Sequence, residues 1–130
     1  MQKRAITKTK RSATILPFDH CKVALKKGMV VVALRPTKYC EPGTIGLVMQ
    51  VDRTSAELSL ARYEILFDNL SLEAWTQEET VEGLAVIRNP RVTLLSQYEF
   101  ISIDRVVKDI AYGALRNIFV QANYIAERYL

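Results

Sequence analysis

The feature that most constrains this chain is a series of short β-patterned segments, separated by turn residues, between residues 15 and 103. Met29 to Arg35 reads MVVVALR and follows the turn signal Lys26-Lys27-Gly28. Ile45 to Val51 forms a second apolar run. Strands this short and this closely spaced are typical of small barrels and sandwiches. The sequence therefore predicts a mainly β domain over residues 15–103.

The later strands of this domain are predicted from alternation. Leu58 and Leu60 alternate on one parity, whereas Tyr63, Ile65 and Phe67 alternate on the other, which predicts a bulge near residues 61–62. Further strands are predicted at residues 70–75 and 83–87, and a closing hairpin at residues 91–95 and 98–103. Between the first two of these, the Thr-x-x-Glu pattern of residues 76–79 predicts a capped helical turn.

Residues 104–130 predict one long amphipathic helix, because their apolar residues recur at three- and four-residue spacing. Such a helix is ~40 Å long, which exceeds the width of a small barrel. Its apolar face is expected either to fold back over the barrel or to pack on another chain. The residues predicted for a protein interface are Val107, Ile110, Leu115, Ile118, Phe119, Ile125 and Tyr129.

The positive charge of the chain is concentrated at its start. The formal net charge is +4, with 18 basic and 14 acidic residues. Five of the basic residues, and no acid, lie within residues 1–11, so the remainder carries 13 basic and 14 acidic side chains. The sequence therefore predicts a near-neutral body and a flexible basic N-terminal arm, residues 1–14, that reaches an acidic partner. Its basic residues are Lys3, Arg4, Lys8, Lys10 and Arg11.

The partner of this arm is left open by its charge. A flexible basic arm binds DNA or RNA phosphates without sequence preference, and it suits an acidic protein groove equally well. No apolar run approaches the ~20 residues that span a bilayer, and the arm lacks an apolar face for membrane insertion. We therefore expect no membrane partner, and a protein of the cytoplasm, or of a virion if the chain is viral.

The glycine pair Gly43-x-x-Gly46 is not predicted to bind phosphate. A P-loop needs a following Lys-Ser/Thr and a helix, and a dinucleotide fingerprint needs a third glycine and a helix. Here a strand follows instead, so no helix N-terminus is available to hold an anion. We expect the glycines to supply a positive φ or a close backbone approach where a strand enters a curved sheet.

Two stretches carry a family resemblance. Residues 26–32 (KKGMVVV) and 43–52 (GTIGLVMQVD) resemble the KOW motif of SH3-like small barrels, in which a basic residue and Gly precede a Val-rich strand and Gly-x-x-Gly-x-Val follows. The continuation, with residues 63–69 (YEILFDN), Trp75 before an acidic turn and residues 84–87 (LAVI), resembles small SH3-like proteins of bacteriophages. The resemblance covers roughly residues 26–87. It implies an SH3-like barrel, of the kind found in ribosomal proteins, transcription factors and virion components.

No catalytic or metal-binding constellation is predicted. His20 and Cys21 are neighbours, and neighbours on a strand point to opposite faces, so they do not form a nucleophile pair. The histidine, Asp19, Cys21 and Cys40 lack zinc-type spacing. The acidic cluster Glu73, Glu78, Glu79 and Glu82 is expected to be a solvated face. We expect no cofactor, no metal and no enzymatic activity.

The remaining candidates are contact residues. The loop that follows the first predicted strand combines basic side chains with a tyrosine, which suits a nucleic-acid backbone and a stacked base. With the turn before the strand it gives a predicted site for nucleic acid or an acidic partner: Lys26, Lys27, Arg35, Lys38 and Tyr39. Tyr63 and Phe67 are predicted core residues, and Trp75 is predicted either to be buried or to stack on bases.

Two functions from different classes follow. The first is a non-enzymatic structural or assembly subunit of a larger particle, whose barrel docks by its loops while the arm and the helix fasten neighbouring subunits. The second is a KOW-like nucleic-acid-binding module of a transcription or ribonucleoprotein complex. The near-neutral charge of the body favours the first function. So does the C-terminal helix, whose apolar face is longer than a small barrel is wide.

Overall fold

The computed structural model describes residues 18–20, 24–53, 56–87 and 102–129, with the backbone alone for residues 18–20 and 129. The strands are β1 (Phe18–His20), β2 (Val30–Ala33), β3 (Ile45–Asp52), β4 (Arg62–Phe67), β5 (Leu72–Thr76) and β6 (Leu84–Ile87). The helices are a 3-10 turn (Leu58–Leu60), α1 (Gln77–Gly83), α2 (Ile103–Ala111) and α3 (Arg116–Tyr129).

The strands form one curled antiparallel sheet, a half-barrel, in the order β1-β6-β2-β3-β4-β5. Both faces of its central strands are buried. The inner face holds Val31, Tyr63, Phe67 and Trp75, among others. The outer face holds Val30, Val32, Leu47 and their neighbours, and α2 and α3 cover it. Since both faces are buried, β2 is a continuous apolar run, VVVA, without alternation.

The glycine pair has the two structural roles that were predicted for it. Gly43 has φ 94°, in the left-handed region that disfavours side chains. Gly46 lies in β3, and a Cβ there would be 2.8 Å from Ile65 Cγ2 and 2.9 Å from Phe67 Cδ1. The missing side chain therefore leaves room for two large residues of β4 on the inner face.

The predicted helical turn after β5 is confirmed. The Thr76 side chain accepts a hydrogen bond from Glu79 N at 3.2 Å, and Glu79 Oε1 accepts one from Thr76 N at 2.8 Å. This capping box satisfies two backbone donors at the start of α1. The helix ends at Gly83, over which the Trp75 indole packs. The predicted burial of Tyr63 and Phe67 is also confirmed, with exposures of 1% and 0%.

Three sequence-based predictions need correction. Leu58 and Leu60 lie in a 3-10 turn, not in a strand, since the chain turns before β4. The bulge lies on the partner strand: Val48 pairs with Ile65 and Gln50 with Glu64, so Met49 is the extra residue. The single C-terminal helix is two helices, because Gly113 has φ 84° and interrupts it.

The predicted closing hairpin lies almost wholly outside the described residues. Its last residue, Ile103, is the first residue of α2, which Ser102 caps by accepting a hydrogen bond from Arg105 N at 3.3 Å. The N-terminal arm, with Lys3, Arg4, Lys8, Lys10 and Arg11, also lies outside the described residues.

Candidate functional site

The predicted set of contact residues is divided between the two ends of β2. Lys26 and Lys27 precede the strand, and Lys38 and Tyr39 follow it. A strand of four residues separates its ends by roughly 13 Å. The structure therefore does not bring the four residues into one patch, and the body has no continuous basic surface built from them.

Arg35 belongs to a different site from the one predicted. Its Nη1 lies 3.2 Å from Glu82 Oε1, and both side chains are about two-thirds exposed. Arg35 thus lies beside the carboxylates of α1, and these negative charges would repel the phosphates of a nucleic acid.

The acidic residues of β5 and α1 line a cleft of about 490 Å³. We call it the acidic cleft. Residues 35–37 form one wall, and Glu73, Ala74, Trp75, Glu78, Glu79, Glu82 and Gly83 form the rest. Among the described residues, Arg35 is the single cation in this lining, against four carboxylates. The expected solvated face is confirmed for Glu78, Glu79 and Glu82, which are exposed, whereas Glu73 is partly buried. That the loop after β2 forms a wall beside these acids was not predicted.

Hydrogen bonds fix the walls of the acidic cleft. Thr37 Oγ1 donates to Glu73 Oε2 at 2.8 Å, and the Cys40 thiol lies 3.4 Å from the same oxygen. The Trp75 indole is 8% exposed and packs against Phe67 with ring centroids 6.5 Å apart. Trp75 is therefore a core residue whose edge reaches the cleft. Because the walls are held before binding, an occupant would lose little affinity to ordering them.

The loop after β2 is also tied to the β4–β5 turn. Asn69 Nδ2 donates to Tyr39 O at 2.9 Å, and Asn69 Oδ1 accepts from Ser71 N at 3.0 Å. These bonds present Tyr39 outward, 61% exposed, with Lys38 Nζ 5.3 Å from its ring centroid. This part of the predicted site is therefore an exposed aromatic on a hydrogen-bonded loop.

Leu70 follows Asn69 in the β4–β5 turn, and its exposed position there was not predicted from the sequence. Its φ is 70°, and it is the one non-glycine residue with a positive φ in the described part of the chain. A leucine in this conformation costs roughly 1–2 kcal/mol. Its side chain is 44% exposed, as is that of Leu72. The turn signal at residues 68–69 marked the position but gave no sign of the apolar side chain it presents.

A second cleft, of about 620 Å³, lies between α3 and the loop of residues 42–44. We call it the α3 cleft. Arg116, Val120, Asn123 and Glu127 line it from the helix, and Asp68 lines it from the β4–β5 turn. Partial burial raises the pKa of the Asp68 carboxyl above its ordinary value of 3.8. No sequence signal placed these residues together.

The residues predicted for a protein interface pack within the chain instead. Leu115 and Phe119 are 2% and 8% exposed, and they belong to the core on the outer face of the sheet. Val107, Ile110, Ile118 and Ile125 are partly buried against that core, and the side chain of Tyr129 is not described. The helices therefore fold back over their own sheet, which is one of the two arrangements expected from the sequence.

The described residues contain no group of three or more His, Cys, Asp or Glu side chains that could hold a metal ion. Cys40 is a buried free thiol, and the side chain of His20 and all of Cys21 fall outside the description. None of the helices in the described ranges is long and apolar enough to cross a membrane.

Comparison with known proteins adds no relative. No family model, curated protein or solved structure matches the chain.

Proposed function

We propose that this protein is a non-enzymatic assembly subunit of a larger, virion-type particle, in which the N-terminal arm of one copy binds the acidic cleft of a neighbour. The observation that carries the proposal is charge complementarity. The arm brings five cations and no acid within residues 1–11, and the cleft presents four carboxylates against one guanidinium.

The direction of the chain favours a neighbour as the source of the arm. Phe18, the first residue of β1, pairs with Ile87, whereas the acidic cleft lies at the other end of β6, next to Gly83. The residues that precede Phe18 therefore start from the end of β6 that is farther from the cleft. An arm bound to its own cleft would have to reverse its direction.

The strength of such a contact suits a repeated assembly. An exposed ion pair contributes about 0.2–1 kcal/mol, so a few pairs give a weak contact on their own. In a particle that holds many copies, each arm is kept close to its cleft, and a high effective concentration makes a weak contact sufficient.

We further propose that the sheet is an SH3-like barrel of the kind that the sequence resembles. Three features support this: the Gly-x-x-Gly strand β3, the capped helical turn between β5 and β6, and the placement of β6 beside β2. The resemblance to small bacteriophage proteins supports a virion component, with localisation in the virion or in the cytoplasm of the producing cell.

Zero-length carbodiimide cross-linking of the full chain tests the arm contact. Equal amounts of ¹⁴N- and ¹⁵N-labelled protein are mixed, cross-linked and mapped by mass spectrometry. We expect mixed-isotope links from Lys3, Lys8 and Lys10 to Glu73, Glu78 or Glu82. These links should disappear at about 1 M salt, where the Debye length is about 3 Å. Links confined to one isotope, or spread evenly over carboxylates outside the cleft, would contradict the proposal.

Charge-neutral variants of the full chain sharpen this test. Replacement of the five arm cations by glutamine should abolish the links and the self-association. Glu78→Gln should weaken association about threefold, because Glu78 is exposed and has no role in the capping box. Asp52→Asn is the matched control, since Asp52 is exposed at the end of β3, away from the acidic cleft. Equal effects of Glu78→Gln and Asp52→Asn would count against the cleft.

A second candidate function is nucleic-acid binding through the same arm. It is favoured by the exposed Tyr39 with Lys38 over its ring, a pair that suits a stacked base and a phosphate. Fluorescence anisotropy with DNA and RNA fragments of mixed sequence separates the two functions. Salt-sensitive binding that needs the arm and Tyr39, together with self-association unaffected by Glu78→Gln, would replace the first proposal with the second.

A further inference from the structure

The exposed stripe of α3 that lines the α3 cleft has an ordered charge pattern. Arg116, Val120, Asn123 and Glu127 are spaced by four, three and four residues, so they lie along one side of the helix. Arg116 is the first residue of α3, and Glu127 lies in its last turn, roughly 16 Å away. Val120, between them, is 58% exposed.

Both charges are unfavourably placed within their own helix. A cation at the N-terminus and an anion at the C-terminus each oppose the helix dipole. Neither Arg116 nor Glu127 forms an ion pair within the described residues. The two side chains are too far apart to neutralise each other, and within the described residues neither forms an ion pair with Asp68, which lines the same cleft.

A second copy of the helix, packed antiparallel, supplies the missing compensation. A two-fold axis midway between residues 121 and 122 places Arg116 opposite Glu127 of the other copy, and Glu127 opposite its Arg116. The same axis places Val120 opposite Asn123 in both directions. Each charge then also lies beside the favourable end of the other helix dipole. A closed two-fold contact requires this self-complementarity.

From this pattern we infer that the α3 stripe is an isologous interface, through which two copies of the chain pair by antiparallel α3 helices seated in each other's α3 clefts. The cleft of about 620 Å³ beside the stripe provides the space for the second helix's side chains. This contact differs from the arm contact in symmetry. The arm contact runs from one copy to the next, and the α3 contact closes a pair, so the two together would extend and cross-connect an assembly.

Charge reversal with rescue tests the inference on the full chain. Dimerisation is measured by sedimentation equilibrium at low salt for wild type, Arg116→Glu, Glu127→Arg and the double variant. Each single reversal places like charges opposite each other at both ends of the pair, so we expect about tenfold weaker dimerisation. The double variant restores both pairs with exchanged signs, and we expect its dissociation constant within about threefold of wild type.

The control is Gln121→Glu, which adds a charge on the outer side of α3, away from the stripe, and should leave dimerisation unchanged. All variants keep the same N-terminal arm, so association through the arm contributes equally to each and does not alter the ratios. A monomeric wild type at every concentration, single reversals without effect, or a double variant as weak as the singles would overturn the inference.

Discussion

The two faces of the sheet are both buried, but they are buried by different parts of the chain. The inner face is filled mainly by side chains of the strands, with Tyr63, Phe67 and Trp75 the largest, and loops add Leu25, Cys40 and Ala61. The outer face is covered by α2, α3 and the turn between them, which contribute Val106, Leu115, Phe119, Ala122 and Ala126. The inner core therefore depends on the curl of the sheet, and the outer core depends on the docking of a separate segment.

This difference teaches that the two layers need not have the same stability. The inner core loses contacts only if the strands separate. The helices can in principle leave the outer face while the sheet persists, since local openings cost less free energy than global unfolding. Substitutions in the two layers and at their edges should therefore differ in how much stability they remove.

The largest effect is expected from Phe67→Ala on the inner face. Phe67 is 0% exposed, and loss of a buried phenylalanine costs about 3–5 kcal/mol. That is a large part of the roughly 5–15 kcal/mol that stabilises a typical domain. Urea unfolding followed by far-UV circular dichroism should show one transition, shifted to much lower urea. Phe67→Leu is the control, and it should lose less stability than Phe67→Ala because it keeps most of the buried apolar volume. If the urea midpoint of Phe67→Ala equals that of wild type, Phe67 does not belong to the inner core.

Leu115→Ala tests the outer face. Leu115 is 2% exposed beneath the helices, and we expect a loss of about 2–4 kcal/mol. Hydrogen exchange should show the amides of α2 and α3 exchanging sooner while those of β3 and β4 keep most of their protection. Val120→Ala, at an exposed position, should change stability by less than about 0.5 kcal/mol. Equal acceleration in strands and helices would mean that the two layers unfold together.

Gly46→Ala and Gly43→Ala separate the two reasons for glycine around β3. An alanine at Gly46 meets Ile65 and Phe67 at under 3 Å, and we expect overpacking to cost about 2 kcal/mol. At Gly43 the cost comes from its φ of 94° and is about 1 kcal/mol. Thermal denaturation of both variants gives the comparison. If Gly43→Ala proves the more damaging variant, the close approach at Gly46 is not the stronger constraint.

Asp68→Asn, at the edge of the outer layer, is expected to change the stability of the fold least. Burial raises the pKa of Asp68 in the fold, so the folded state binds the proton more readily than the unfolded chain. Stability contributed by this proton is therefore present at low pH and is lost as pH rises through the raised pKa.

The asparagine variant should thus be more stable than wild type at about pH 7 and little different at about pH 3. Urea midpoints at the two pH values measure this. A variant that is less stable than wild type at the higher pH would show that the ionised carboxylate has a favourable partner, contrary to the pKa shift.

The strands and turns of the sheet were largely predictable because their signals are local. The Thr-x-x-Glu box, the glycine pair and the alternation of Tyr63, Ile65 and Phe67 each depend on residues close in sequence. The break in the C-terminal helix was not predicted, although Gly113 was visible, because the apolar spacing continues through it. The position of the bulge was not predictable either, because it depends on how β3 and β4 pair and on which of the two strands carries the extra residue.

The β domain, the charge asymmetry between the arm and the body, and the amphipathic C-terminal segment could all be predicted from the sequence, because composition and periodicity record them directly. Three features depend on packing between distant segments: the loop after β2 lines a cleft with four glutamates, the helices cover their own sheet, and the Arg116–Glu127 stripe lies beside a second cleft. The physical reason is that clefts and faces arise between segments distant in the chain, and their geometry depends on how those segments pack.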